Sequence, residues 1–208
     1  MKKLLTEFLG TYFLVLVIGL VVLGGVALAP LAIGVALAVL VYMGGHISGA
    51  HYNPAVSIAA MLRGKLASTD LVPYILAQLL GSAAAAGTVH VMTGRTFAPA
   101  PAPGGLIAPV LAEVLFTFLL VLVIFNVAMS ERTKGNSFYG LAIGGAVMTG
   151  AFAVGGISGA AFNPAVGTGP IVIQALMGAG GIADLWLYIV APVAGGILAA
   201  VVFGLQET

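Results

Sequence analysis

The chain has no cysteine and very little charge. Without cysteine there are no disulfides, no thiolate nucleophile and no Cys-ligated zinc site. Seven Lys and Arg residues against six Asp and Glu leave a net charge of +1, which points neither to nucleic acid nor to an acidic partner. Charged residues are 6% of the 208 positions, where a soluble domain carries about 25%. So few charges cannot cover a water-facing surface. The three histidines, His46, His51 and His90, do not have metal-ligand spacing. No nucleophile–base pair stands out, so an enzyme is disfavoured and no cofactor or metal is called for. What the chain does have is apolar residues, 61% of the total, and 30 glycines. Mean hydropathy is +1.19. These values describe an integral membrane protein whose main partner is the lipid bilayer.

A bilayer core about 30 Å thick is crossed by about 20 apolar helical residues. Six stretches qualify: Leu4–Leu23, Leu31–Ile47, Leu71–Met92, Pro109–Met129, Phe138–Ile157 and Leu185–Leu205. Asp70 and Asp184 stand at N-cap positions before the third and sixth. Lys2-Lys3, the first apolar run and Ala27-Leu28-Ala29 have the outline of a secretory leader. Glu7 within that run and Pro30 just after it fit a leader poorly, and the repeat described next uses the segment as a helix. Placing the N-terminus in the cytoplasm puts Lys2, Lys3, Arg63, Lys65, Arg132 and Lys134 on that side and only Arg95 outside. The positive-inside rule therefore predicts cytoplasmic termini, in a cell or inner membrane.

Leu31–Val56 and Leu141–Val166 align without a gap at an offset of 110, with 14 of 26 positions identical. Both end in ISGA-x-x-NPAV. Glu7 corresponds to Glu113, and Asp70, Tyr74 and Gly81 correspond to Asp184, Tyr188 and Gly195. The chain is thus expected to be one channel domain over 1–208, with repeats of about 1–92 and 109–208 and a Pro-Ala linker at 93–108. Each half contributes three spans, an odd number, so the second half enters the membrane inverted. The linker is expected to be an extended spacer across the outer face.

Asn53–Leu62 and Asn163–Leu176 are apolar but too short to cross. Ten helical residues rise about 15 Å, half the hydrocarbon thickness. Irregular backbone at membrane depth is tolerated only where it lines a cavity or is buried in protein. The Gly-rich approaches to both segments therefore predict re-entrant half-helices. Asn is a preferred N-cap and Pro suits the first helical position. Asn53-Pro54-Ala55 and Asn163-Pro164-Ala165 are read as two half-helix starts meeting near the midplane. Each Asn keeps an NH2 donor for the lumen. Each start carries about half a positive charge, which repels cations and protons. The unwound residues before them, Gly49, Ala50, His51 and Tyr52, and Gly159, Ala160, Ala161 and Phe162, are candidates to offer carbonyl oxygens along a pore. One Asn-Pro-Ala is a weak signal; two at equivalent positions of an inverted repeat are a strong one.

The segments Gly45-His46-Ile47-Ser48-Gly49-Ala50-His51-Tyr52-Asn53-Pro54-Ala55-Val56 and Ser158-Gly159-Ala160-Ala161-Phe162-Asn163-Pro164-Ala165, with Tyr74-Ile75-Leu76-Ala77-Gln78, resemble the major intrinsic proteins, the aquaporins and glycerol facilitators. The resemblance covers essentially the whole chain. It implies an all-α membrane fold of six transmembrane helices plus two re-entrant half-helices, assembled as a homotetramer with one pore per subunit. It also implies an outer selectivity filter at Ile33, Ala151, Ala160 and Val166. Here the chain departs from the family pattern. An arginine commonly follows the second Asn-Pro-Ala, but this chain has Val166. Water-selective members commonly carry a histidine or another polar or bulky residue where this chain has Ala151.

Glu7 and Glu113 are intramembrane carboxylates, each costing roughly 2.5–3.5 kcal/mol without a partner. They are read as structural acceptors for the unwound backbone before each half-helix rather than as a proton path. The function expected is passive passage of water or small uncharged solutes such as glycerol, urea or ammonia. A secondary transporter of a small neutral solute, the alternative, also uses inverted repeats and broken helices. It needs coupling-ion ligands, for which the two glutamates are the candidates.

Overall fold

The structure is a computed structural model and describes residues 1–207. Its regular elements are helices. In lipid every backbone N–H and C=O must be satisfied within the segment, which an apolar helix achieves. Among the described residues, six helices are long and apolar enough to cross a bilayer. They are α1 (Lys2–Leu23), α2 (Ala29–Ser48), α4 (Ser68–Thr93), α5 (Ile107–Ile124), α6 (Tyr139–Ser158) and α8 (Leu185–Gln206). Two short ones, α3 (Pro54–Leu62) and α7 (Pro164–Leu176), begin at the two Asn-Pro pairs. A π-helical turn, Phe125–Met129, extends α5, so helical backbone fills the expected span to Met129.

The first four spans start two or three residues before expectation, α6 starts one residue after it, and α8 starts at the expected Leu185. Pro30 lies in the first turn of α2, where its missing N–H costs nothing. The N-cap of α4 is Ala67, not Asp70. Asp70 sits in the first turn and pairs with Lys3 at 3.5 Å, tying the starts of α1 and α4 together. Asp184 does occupy the N-cap of α8, but its side chain makes no capping hydrogen bond.

The packing follows the repeat. α1 lies against α4 and α2, just as α5 lies against α8 and α6. α4 packs on α7 of the other half, and α3 packs on α8. α2 and α6, equivalent in the repeat, pack on each other. Their crossing is close because Gly34 and Gly144 meet there. A Cβ on Gly34 would come within 2.7 Å of the Gly144 carbonyl oxygen. Small residues at such crossings are what membrane helices use to approach. The outward faces are also apolar: Leu76 and Leu80 on α4, and Leu111, Leu115 and Leu119 on α5, are exposed at helical spacing.

Candidate functional site: a pore at the meeting of two half-helices

Each long helix before a half-helix stops at a glycine in the left-handed region, Gly49 (φ 89) after α2 and Gly159 (φ 84) after α6. The next residues continue in that unusual geometry. Ala50 (φ 52), Tyr52 (φ 51), Ala160 (φ 51) and Phe162 (φ 49) are non-glycine residues with positive φ. Such residues cost of order 1–3 kcal/mol each and persist only when surroundings hold them. Buried carboxylates supply that hold. Glu7 accepts from the backbone N–H groups of His51 (3.0 Å) and Tyr52 (2.7 Å), and from the Ser48 hydroxyl (2.6 Å). Glu113 accepts from Ala161 (2.9 Å), Phe162 (2.6 Å) and the Ser158 hydroxyl (2.8 Å). The Tyr74 and Tyr188 hydroxyls complete the set, donating to the carbonyls of Ser48 and Ser158 at 2.8 and 2.6 Å.

The two halves differ in what surrounds the loop carboxylate. Gln78 donates to Glu7 at 2.8 Å and to Ser57 at 2.9 Å, and Ser57 also bonds His51 Nδ1 at 3.0 Å. At the equivalent positions of the second half stand Pro192, Gly167 and Ala161. The first loop is therefore held by a larger polar cluster than the second.

The half-helix starts lock together. Asn53 Oδ1 accepts from Ala55 N and Asn163 Oδ1 from Ala165 N, both at 2.9 Å. Each amide group also reaches across the repeat: Asn53 Nδ2 donates to the Phe162 carbonyl at 2.9 Å, and Asn163 Nδ2 to the Tyr52 carbonyl at 2.8 Å. One N–H of each asparagine is thus committed to the opposite loop. The cap motif alone leaves the whole NH2 group free for the lumen.

Beside these starts runs a cavity of about 1000 Å³. Lys3, Lys65 and Lys134 line one end, and Pro30, Phe97 and Pro99 the other. Its wall includes Gly49, Ala50, His51, Tyr52, Asn53, Gly159, Ala160, Ala161 and Asn163. Ile33, Ala151 and Val166 also line it. Pro54, Ala55, Pro164, Ala165, Glu7 and Glu113 are buried behind this wall rather than part of it. Phe162 is also outside the wall. Its ring stacks on Phe116 with centroids 5.6 Å apart, and its carbonyl is taken by Asn53.

The wall also includes residues that no motif singles out. Ile33, Leu37 and Val41 share one face of α2, and Ile143, Val147 and Ala151 one face of α6. Their four-residue spacing from Ile33 and Ala151 was the available signal. Phe97, Pro99 and Ala100 of the linker also line the cavity, and no periodicity in that stretch could have marked them.

The family model for the major intrinsic proteins matches residues 1–203. The chain is 36% identical to aquaporin NIP1-1 of Zea mays over 215 residues, covering 98% of this chain and 74% of that protein. It is 37% identical to aquaporin AqpM of Methanothermobacter thermautotrophicus over 239 residues, covering 97% and 96%. Among solved structures, the aquaglyceroporin from Plasmodium falciparum superposes with a TM-score of 0.84 at 23% identity, covering 97% of this chain and 94% of that one. That last likeness establishes the fold. The chain belongs to the major intrinsic protein family, multi-pass membrane channels for water and small solutes rather than enzymes.

Proposed function

Starting from that membership, we propose that the chain is a passive channel for water and small uncharged solutes such as ammonia, urea and glycerol. The observation that carries this reading is the cavity running past Asn53 and Asn163 while each asparagine is cross-bonded to the opposite loop. The remaining N–H of each amide is the donor a permeant meets. The start of each half-helix adds about half a positive charge at the same level, which excludes cations. The carbonyls of Gly49, Ala50 and His51, and of Gly159, Ala160 and Ala161, are the acceptors on either side. Glu7 and Glu113 hold those loops and take no part in transport.

Ile33, Ala151, Ala160 and Val166 form the outer filter in this reading, a ring without a side-chain donor or charge. Selection there rests on diameter and on backbone groups, and strongly hydrated solutes are penalised by desolvation. The basic residues at one end of the bundle support cytoplasmic termini, and a homotetramer is the assembly expected. Proteoliposome swelling with water, ammonia, urea and glycerol tests the function. Non-saturating flux with a low activation energy and no ion dependence is expected. Saturable, ion-coupled uptake would establish a transporter instead.

A further inference from the structure

The repeat gives the proposed outer ring a mirrored counterpart. At the offset of 110, Ile33 corresponds to Ile143 and Ala151 to Val41, while Ala160 corresponds to Ala50 and Val166 to Val56. The four mirrored residues also line the cavity, toward the end lined by Lys3, Lys65 and Lys134. Ile143 stands one turn into α6, just as Ile33 stands one turn into α2. Val56 lies in the first turn of α3, which leads from Asn53 toward Lys65. Three of the pairs are chemically identical, so any difference within them comes from the surroundings. A wall side chain keeps solvent exposure where the lumen beside it is wide and loses it where opposing walls close in. The lysine-side member is the more buried in each pair. Ile143 is 4% exposed against 9% for Ile33, and Val56 is 2% exposed against 5% for Val166. Ala50 is buried, whereas Ala160 is half-buried. The fourth pair differs in the same direction. Val41 is buried, while Ala151 is half-buried and is the smaller side chain. His51 adds bulk on the lysine side. It lines the cavity with Nδ1 3.0 Å from the Ser57 hydroxyl, where the repeat has Ala161.

We propose that the solute size limit lies on the lysine side of the two asparagines, at Val41, Ala50, Val56 and Ile143, and that Val41 is the residue that sets it. The inference rests on the channel reading and places the step that grades its solutes away from the linker-side ring. These side chains are aliphatic and offer no hydrogen bond, so they discriminate by cross-section: ammonia ahead of urea, urea ahead of glycerol, longer polyols held back. Val41→Ala gives this ring the composition of the linker-side one, an Ile, a Val and a pair of Ala.

The test measures water, glycerol and erythritol permeability in proteoliposomes for wild type, Val41→Ala and the matched pair Ile143→Val and Ile33→Val. Val41→Ala should raise the polyol-to-water ratio several-fold. Ile143→Val should raise it more than Ile33→Val, although the two changes are chemically the same. A change that merely loosens the bundle would move water and polyol flux together. A folded Val41→Ala protein with the wild-type ratio would overturn the assignment. So would an effect of Ile33→Val equal to or larger than that of Ile143→Val, even if Val41→Ala fails to fold. Either result alongside low-activation-energy water flux would sink only the lysine-side limit. Saturable, ion-coupled uptake by wild type would sink the channel reading beneath it.

Discussion

Single residues in this protein carry unequal burdens that their position in the repeat does not reveal. Glu7 and Glu113 correspond, but Glu7 also receives Gln78 and through it Ser57 and His51. Replacing either with leucine strands two buried backbone N–H groups and a serine hydroxyl, each costing about 1–3 kcal/mol. Glu7→Leu also removes one of the two acceptors of the Gln78 amide, which keeps only Ser57. Thermal unfolding in detergent should therefore show both variants destabilised, Glu7→Leu more than Glu113→Leu; the reverse order would mean the Gln78 cluster adds nothing. Val166 is the residue that most changes the proposed filter. A wall built from Ile33, Ala151, Ala160 and Val166 has no side chain able to give a permeant a hydrogen bond. Val166→Arg adds donors, bulk and a positive charge. Glycerol and urea flux should fall more than water flux in the liposome assay. If wild type already rejects both solutes as completely as the variant, the wide apolar ring is refuted.

At the scale of elements, what was legible followed from constraints that act locally. Span lengths are set by bilayer thickness, and half-helix starts by the Asn-Pro pair, so α3 and α7 begin where the sequence placed them. Helix starts elsewhere moved because Ala67 or Leu28 can take an N-cap position without a capping side chain when packing fixes the helix. The faces of α2 and α6 toward the cavity were readable by period four from Ile33 and Ala151. The linker was not, because its position depends on contacts between residues distant in sequence: Phe97 on Gly19, Ala102 on Ile157. The α2–α6 crossing was half legible. Glycines allow close approach, but only the fold shows which glycines meet. Gly144 faces the Gly34 carbonyl, whereas a Cβ on Gly145 would find open space. Overpacking a tight crossing costs typically 1–3 kcal/mol. Gly144→Val should therefore lower the unfolding temperature well below that of Gly145→Val. Equal losses for the two would show that helix propensity, not the crossing, is at stake.

For the whole molecule, the question is where ions are stopped. Cations arriving from the outside meet a proposed outer ring with no charge of its own. In the proposed channel, exclusion rests where α3 and α7 begin in opposite halves and are joined through Asn53 and Asn163. Two helix starts contribute about half a positive charge each, together about one. One carboxylate placed between them cancels that sum. Asn163→Asp does so, and it also replaces the donor to the Tyr52 carbonyl with an oxygen that repels it. Some loss of stability is expected with it, so folding must be verified by size-exclusion chromatography before transport is read. In proteoliposomes carrying a pH-sensitive dye and a potassium gradient, the folded variant should leak protons and cations well above wild type while still passing water. Because no arginine guards the outer ring, this leak should be larger than in the double variant Asn163→Asp with Val166→Arg, where a second positive site has been restored. If Asn163→Asp passes water and stays as ion-tight as wild type, the barrier does not lie at the paired helix starts, and dehydration along the apolar lumen must provide it instead.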